Sequence, residues 1–357
     1  MQYLAGLEQL GHDVYYLEDC GETSVAYDWE RQTPSFDLSY PAAYVDECLT
    51  SIGMQDRWIY RAGDDSLGMP LPKFLEVCAE ADLLLIRATP LWTWRAEYDR
   101  PRRRAYIDVD PGFTQFTLAG GSQALSEGLD RCETLFTYGQ NIGAADCPIP
   151  TGHRHWIKTF PPVALPHWPV MNTQASHFTS VIRWKGFKEV AFQGATYGQR
   201  DLEFPKYLDL PRMVDQPLRM AALGADPNLL ETHGWDFVHG EEVSRTPRAY
   251  RQFIQDSRGE FLVPKQGYVS SRSGWFSDRS VCYLASGRPV LVEDTGLDDV
   301  LPIGGGIVTF TDPDSAARGL DMINRDYASH SIAARQLAEN LFSGDHVLRS
   351  LLDAALA

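Results

Sequence analysis

The chain has 357 residues, enough for two ordinary domains with cores of their own. With 44% hydrophobic and 22% charged residues it reads as globular, not disordered. A formal net charge of −16 argues against a general binder of nucleic acid or anionic membrane, and leaves room only for a local basic pocket. No apolar run reaches membrane-spanning length; Leu83 to Ile86 reads as a strand. The opening MQYLAGLEQLGHDV lacks the basic flank and apolar core of a signal peptide. Cys20, Cys48, Cys78, Cys132, Cys147 and Cys282 are scattered, with no C-x-x-C, which suits reduced structural thiols in a cytoplasmic protein.

Taken in chain order, residues 2–10 repeat apolar side chains at helical spacing (Tyr3, Leu4, Leu7, Leu10), stop at Gly11, and lead into a strand over His12–Leu17. A doubly wound domain normally opens on a central strand, so either that strand is absent or Met1 is an internal start. Residues 21–72 are polar and rich in Trp and Tyr, and give no clear assignment. A helix follows over Leu71–Ala79. Strands are predicted over Asp82–Arg87, over Arg104–Asp108 running into Asp110-Pro111-Gly112, and over Thr134–Tyr138 ending at Gly139-Gln140-Asn141. The Pro-rich stretch 161–176 breaks all periodicity and reads as a linker between a first domain, 1–160, and a second, 177–330. The second domain alternates again: strand Phe178–Ile182, helix Pro217–Leu223, strand Trp235–Val238, helix Pro247–Ser257, strand Glu260–Val263. A long helix over Asp314–Ser343, interrupted near Ser329, and another over Asp345–Leu356 supply the closing helices, 331–357.

The most pointed stretch is SRSGWFSDRSVCYLASGRPVLVEDTG, residues 271–296. Ser277 stands where an N-cap belongs, Val281, Leu284 and Ala285 recur at helical spacing, Gly287 supplies a stop, and Pro289–Val292 is an apolar strand entered through a proline. In a parallel sheet a crossover helix runs back along its strands. The loop 273–277 and the loop Glu293–Gly296 should therefore face one crevice, where open α/β sheets bind ligands and a helix N-terminus favours phosphate.

This segment, with ASGRPV at 285–290, LPIGGGIVTFTDPDSAARGL and AARQLAENLF, resembles the GT-B glycosyltransferases; IDVDPGFTQ, LFTYGQNIG and YGQRDLEF resemble a bacterial group among them. The resemblance runs from residue 2 through nearly the whole chain. It implies an α/β fold of two facing Rossmann-like domains, with the donor held mainly by the second. It also implies transfer of a sugar from a nucleoside-diphosphate sugar, a UDP-sugar foremost, to a small-molecule or glycan acceptor. No cofactor is expected beyond that co-substrate. The glutamate pair of retaining members is replaced by Gly274 and Cys282. A sugar-nucleotide epimerase or hydrolase of the same fold, or a non-catalytic sugar-nucleotide binder, remains the alternative.

On that reading Ser273, Gly274, Trp275 and Ser277 form a diphosphate cradle, or merely a capping loop. Lys265, Arg272 and Arg279 are expected to neutralise the leaving group without a metal, or are plain surface cations. Asp278 bonds ribose hydroxyls or only caps the helix, while Asp294, Thr295 and Gly296 line the opposite lip. Arg183-Trp184-Lys185 sits at the crevice edge as a diphosphate site or as a solvated turn. Asp108-Val109-Asp110 has the form of a D-x-D metal motif but ranks below the metal-free reading. Asp110, at a strand end before Pro111-Gly112, is the candidate general base, its carboxylate expected to be free of a continuing ladder, or it anchors the turn. Gln115, Trp92, Trp94 and Asn141 are placed on the acceptor side. His153-Arg154-His155 lacks the further ligands a metal site needs.

Overall fold

The computed structural model describes residues 1–22, 25–28, 33–88, 93–172, 174–186 and 188–357. The first half opens with α1 (Gln2–Gln9) and β1 (Tyr16–Asp19), then a small hairpin, β2 (Ala26–Asp28) and β3 (Thr33–Ser35). It continues through α2 (Ser39–Thr50), β4 (Trp58–Ala62), β5 (Asp65–Gly68), α3 (Leu71–Glu80) and β6 (Leu83–Arg87). β7 (Arg103–Asp108), α4 (Phe113–Ala119), α5 (Gln123–Asp130), β8 (Thr134–Thr137) and β9 (Trp156–Lys158) complete it. The strands form two sheets, β1-β4-β5 and β6-β7-β8-β9, the second wholly parallel.

The second half begins with β10 (Phe178–Arg183), the hairpin β11 (Val190–Phe192) and β12 (Ala195–Tyr197), α6 (Arg200–Glu203) and β13 (Leu218–Leu223). It runs on through α7 (Pro227–Thr232), β14 (Asp236–His239), α8 (Gly240–Ser244), α9 (Pro247–Gln255), β15 (Gly259–Leu262) and α10 (Gln266–Ser270). α11 (Ser280–Ala285), β16 (Val290–Glu293), β17 (Ile307–Phe310), α12 (Pro313–Arg325), α13 (Tyr327–Leu341) and α14 (Gly344–Leu356) follow. Its six strands are all parallel in the order β14-β13-β10-β15-β16-β17, which is the 3-2-1-4-5-6 winding of a dinucleotide-binding domain.

The apolar runs explain this sheet. A strand covered on both faces needs no polar alternation. On β16, Val290 and Val292 pack with Val281, Leu284 and Ala285 of α11, while Leu291 faces Phe261 and Phe310 on the other side. α12 starts where Asp312 accepts from the Ser315 amide at 2.7 Å and Pro313 fills the first turn.

Most predicted elements are observed within a few residues, with three differences. Residues 217–223, expected as a helix, form β13: Leu, Arg, Met and Ala favour helix locally, but the segment is held between β10 and β14. The first strand starts at Tyr16, four residues after His12, when the chain meets β4. The closing helices do not form one unit. α13 packs on α11, whereas α14 returns to the first half against α1 and β7. Gly6 and Gly344 permit that return, since a Cβ on Gly344 would stand 3.3 Å from Gly6 Cα. Val163 donates to the Phe342 carbonyl at 2.7 Å and accepts from the Gly344 amide at 2.9 Å, so the two crossings between halves lie side by side. The six cysteines form no disulfide. Among the described residues no helix is long and apolar enough to cross a membrane.

Candidate active site

The switch point of the second sheet lies between β10 and β15, where the winding reverses, and the crevice outside their carboxyl ends is where such sheets take ligands. Arg183 closes β10 and is exposed; Lys265 follows β15 and is buried. Arg200, at the start of α6 and itself buried, spans the two strand ends. Its Nε donates to the Val263 carbonyl at 3.0 Å and a terminal nitrogen to the Arg183 carbonyl at 3.5 Å. Burial, then the nearby charge of Arg279, brings the Arg200 guanidinium down to about 10. Sequence reasoning missed Arg200, because a lone arginine behind a hairpin has no spacing signature. Lys185 is exposed and pairs with Asp201 at 3.0 Å.

Asp110 reaches this point from the first half. Asp110 lies past the end of β7, and its Oδ1 accepts from Lys265 Nζ and from the Tyr268 hydroxyl. Burial alone would raise the Asp110 carboxyl, but the Lys265 ammonium and the two hydrogen bonds hold it below the usual range. Burial pushes the Lys265 amine down, with Asp110 opposing. Asp108 is fully buried, its carboxylate filled by Thr114, Gln115 and Thr137 at 2.7–2.8 Å. Burial raises its carboxyl, and those bonds offset part of the rise. The two carboxylates therefore do not converge on a cation. Among the described residues no three of His, Cys, Asp and Glu are grouped for a metal. Gln115, expected on the acceptor side, is buried under Asp108 and accepts from the Gly112 amide at 2.7 Å, which makes it part of the β7–α4 turn.

The 271–277 loop is tied to its neighbours more fully than the cradle expectation allowed. α11 spans six residues from Ser280 and has Arg279, not Ser277, at its N-cap. Ser277 Oγ instead accepts from the Arg279 amide at 3.1 Å, and Ser273 Oγ from the Trp275 amide at 3.3 Å. The Gly274 amide donates to the Thr295 carbonyl at 2.7 Å, and Thr295 Oγ1 to the Trp275 carbonyl at 2.8 Å. Asp294 caps its own turn by accepting from the Gly296 and Leu297 amides, both at 2.8 Å. Arg272, half exposed and with φ of 47°, points to Asp294 and Asp146. Arg279 turns inward to Glu260 at 2.7 Å and is structural.

Asn141, also expected to meet the acceptor, clamps the halves together. Its side-chain nitrogen donates to the Arg272 carbonyl at 2.9 Å and the Gly296 carbonyl at 2.8 Å, while its amide donates to Ser273 O at 3.1 Å. Trp275 Nε1 reaches Val109 O at 3.2 Å, and exposed Asp278 takes Arg87 at 2.7 Å rather than capping α11. Trp94, partly buried, packs edge-on to Tyr98 and beneath Arg131. Trp92 lies outside the described residues. In the 153–155 turn, Arg154 pairs with Asp130 at 2.6 Å.

Two Rossmann-like halves meeting at such a cation-lined switch point define the GT-B architecture, and the chain has that fold. An alpha-glucosyltransferase solved with UDP and a 13-mer DNA aligns over 100% of this chain and 94% of its own, at 12% identity and a TM-score of 0.59. HepE of Anabaena, solved with UDP and glucose, aligns over 96% and 99%, at 11% and 0.54. Sucrose-phosphate synthase of Thermosynechococcus elongatus aligns over 99% and 92%, at 13% and 0.53. At such identities the likeness is one of fold. No family model and no curated protein matches the sequence.

Proposed function

We propose that the protein is a glycosyltransferase that takes its sugar from a UDP-sugar and passes it to the hydroxyl of a small-molecule or glycan acceptor. The observation that carries this reading is the placing of Arg200 and Lys265 at the β10–β15 switch point, with Arg183 at the end of β10, in a chain of net charge −16. A departing diphosphate needs positive charge held in place before the bond breaks; Arg200, buried and fixed to two backbone carbonyls, and Lys265, buried against Asp110, supply it. Solved proteins of this fold carry UDP or UDP-glucose, which supports the donor class. The net charge disfavours DNA as the acceptor here.

In this reading Lys265 exchanges its bond to Asp110 for the diphosphate as the donor binds. That exchange frees Asp110, on the opposite half, to take the acceptor's proton. The cations do the work a metal would do, so turnover is expected to persist in EDTA. The test is calorimetry and thermal shift with UDP and a panel of UDP-sugars; a ligand at 100 times its Kd adds about 2.7 kcal/mol of stability. UDP release that depends on an acceptor supports transfer. Release without one points to a hydrolase, and binding without release to a non-catalytic binder. No shift with any nucleoside diphosphate would defeat the reading.

A further inference from the structure

Two groups of the second half hold the Asp110 carboxylate, and only Lys265 among them carries a charge. The other is Tyr268, which lies on α10, is fully buried and donates its hydroxyl to Asp110 Oδ1. Among the described residues that hydroxyl has no other hydrogen-bond partner. A phenol O–H taken out of water costs free energy unless it is bonded. The ring itself needs no hydroxyl for its packing. It stacks on Trp275 with centroids 4.5 Å apart and planes at 29°, and meets Phe113 edge to face at 5.7 Å and 79°. A phenylalanine would make the same ring contacts. The hydroxyl is explained by the carboxylate alone.

The backbone fixes both ends of this bond. The Tyr268 amide donates to the Lys265 carbonyl at 2.9 Å, and the Tyr268 carbonyl accepts from the Ser273 amide at 3.2 Å. Across the cleft the Asp110 amide donates to Asp108 Oδ1 at 3.2 Å, and the Val109 carbonyl accepts from Trp275 Nε1 at 3.2 Å. Burial, then the charge of Asp110, pushes the phenol far above its usual range, so it stays neutral and keeps its proton. An ammonium gains strongly from a phosphate, through a bond between opposite charges; a neutral hydroxyl gains much less. A diphosphate that draws Lys265 away therefore leaves Tyr268 on the carboxylate.

We propose that Tyr268 is the positioning residue of Asp110, holding its carboxylate in place as a proton acceptor once the donor's phosphates have taken Lys265. This rests on the reading of Asp110 as the general base. An accepted hydrogen bond favours the charged carboxylate, so losing it raises the pH at which Asp110 gives up its proton. The other groups that face Asp110 are Asp108 and Tyr106 on β7, Lys265 after β15 and Arg200 at the start of α6, and a change confined to the Tyr268 hydroxyl leaves all four in place.

The test is Tyr268→Phe, read by carboxyl-carbon NMR titration of Asp110, whose signal is assigned by its loss in Asp110→Asn. The titration is run in two settings, the parent saturated with UDP and the Lys265→Met protein, where the ammonium is gone without any donor. In both, Tyr268→Phe should raise the Asp110 midpoint by about one pH unit, the lower end of the worth of a hydrogen bond to a charged group, because this carboxylate is partly exposed. Asn141→Ala is the control: it loosens the same interface without touching Asp110, and should cost stability while leaving the midpoint where it is. Should Tyr268→Phe not fold, a ring-fluorinated tyrosine at 268 donates more strongly and should move the midpoint down. A midpoint unmoved by the change at 268, or moved equally by Asn141→Ala, overturns the proposal. The Lys265→Met setting uses no donor, so a failure of UDP to bind counts against the donor reading and not against this one.

Discussion

Lys265→Met is the sharpest probe of the switch-point site. Methionine keeps an apolar stem against Phe113 and Tyr268, which the lysine ammonium now overlies at 5.0 and 5.2 Å, and removes only the charge. Breaking a wholly buried ion pair costs roughly 3–5 kcal/mol. The Lys265 side chain is 11% exposed but that of Asp110 is 35% exposed, and Asp110 keeps the Tyr268 hydroxyl. Solvent screening therefore reduces the expected loss of folding stability to about 1–3 kcal/mol. The donor supplies the second magnitude. A hydrogen bond to a charged group is worth about 1.5–3 kcal/mol, so the Kd for UDP should rise about 10- to 100-fold. Urea unfolding gives the first quantity and titration calorimetry on the folded variant gives the second. A variant that loses stability yet binds UDP within twofold of the parent would refute the reasoning, because Lys265 would then serve only to tie the halves together.

Asp110→Asn should lower kcat by about 10²- to 10⁴-fold, the usual worth of a general base, without weakening UDP binding; steady-state kinetics at saturating donor decide it, and parental turnover eliminates the role. Glu293, buried against Glu203 and Tyr207, carries a carboxyl raised to about 9, chiefly by burial and then by Glu203. A carboxyl raised on folding stabilises most below its unfolded value, near 4.3, and that contribution is lost as pH rises toward the folded value. Glu293→Gln keeps an acceptor for Tyr207 and should flatten this slope, making the variant the more stable protein at pH 8 by about 1–3 kcal/mol in chemical unfolding; parallel stability curves from pH 5 to 8 would contradict it. Gly259→Ala would set a Cβ 2.7 Å from the Pro289 carbonyl and 2.4 Å from the Phe178 ring. It should cost about 1–3 kcal/mol through overpacking at the root of the sheet, and an unchanged urea midpoint would show that the backbone yields.

How far these features could be read from sequence depends on how far apart their causes lie along the chain. β16 and α11 were legible because an apolar run, a proline entry and a glycine stop are all local. β13 was not: its Leu-Arg-Met-Ala-Ala-Leu run has a helical preference, and only β10 and β14 on either side make it a strand. Residues 21–72 resisted assignment because their described part is cut into a hairpin, a helix and two strands, with Trp58 and Tyr60 packed in one cluster with Val14, Leu38, Val45 and Leu49, up to 46 residues away in sequence. Within the site the distinction is the same. The cations at strand ends followed from topology. The Thr137 bond to Asp108, the clamp made by Asn141 and the bridging by Arg200 depend on partners 29, 131 and 63 residues away.

Those distant partners bear on function. The loops assigned to the diphosphate are the loops by which the first half is fastened: Lys265 to Asp110, Arg272 and Gly296 to Asn141, and Asp278 to Arg87. A ligand that takes any of these groups must compete with a bond between the halves. By linkage, whatever loosens those bonds favours the ligand to the same degree that the ligand loosens them. Asp110 stands at the centre of that exchange. Its carboxylate is held by the same lysine the donor's phosphates would draw away, so the group proposed to accept the proton is released only when the group to be displaced is in place. The cost of holding a buried lysine against a partly buried aspartate across the cleft is then understandable as a means of keeping the proposed base engaged until the donor has bound.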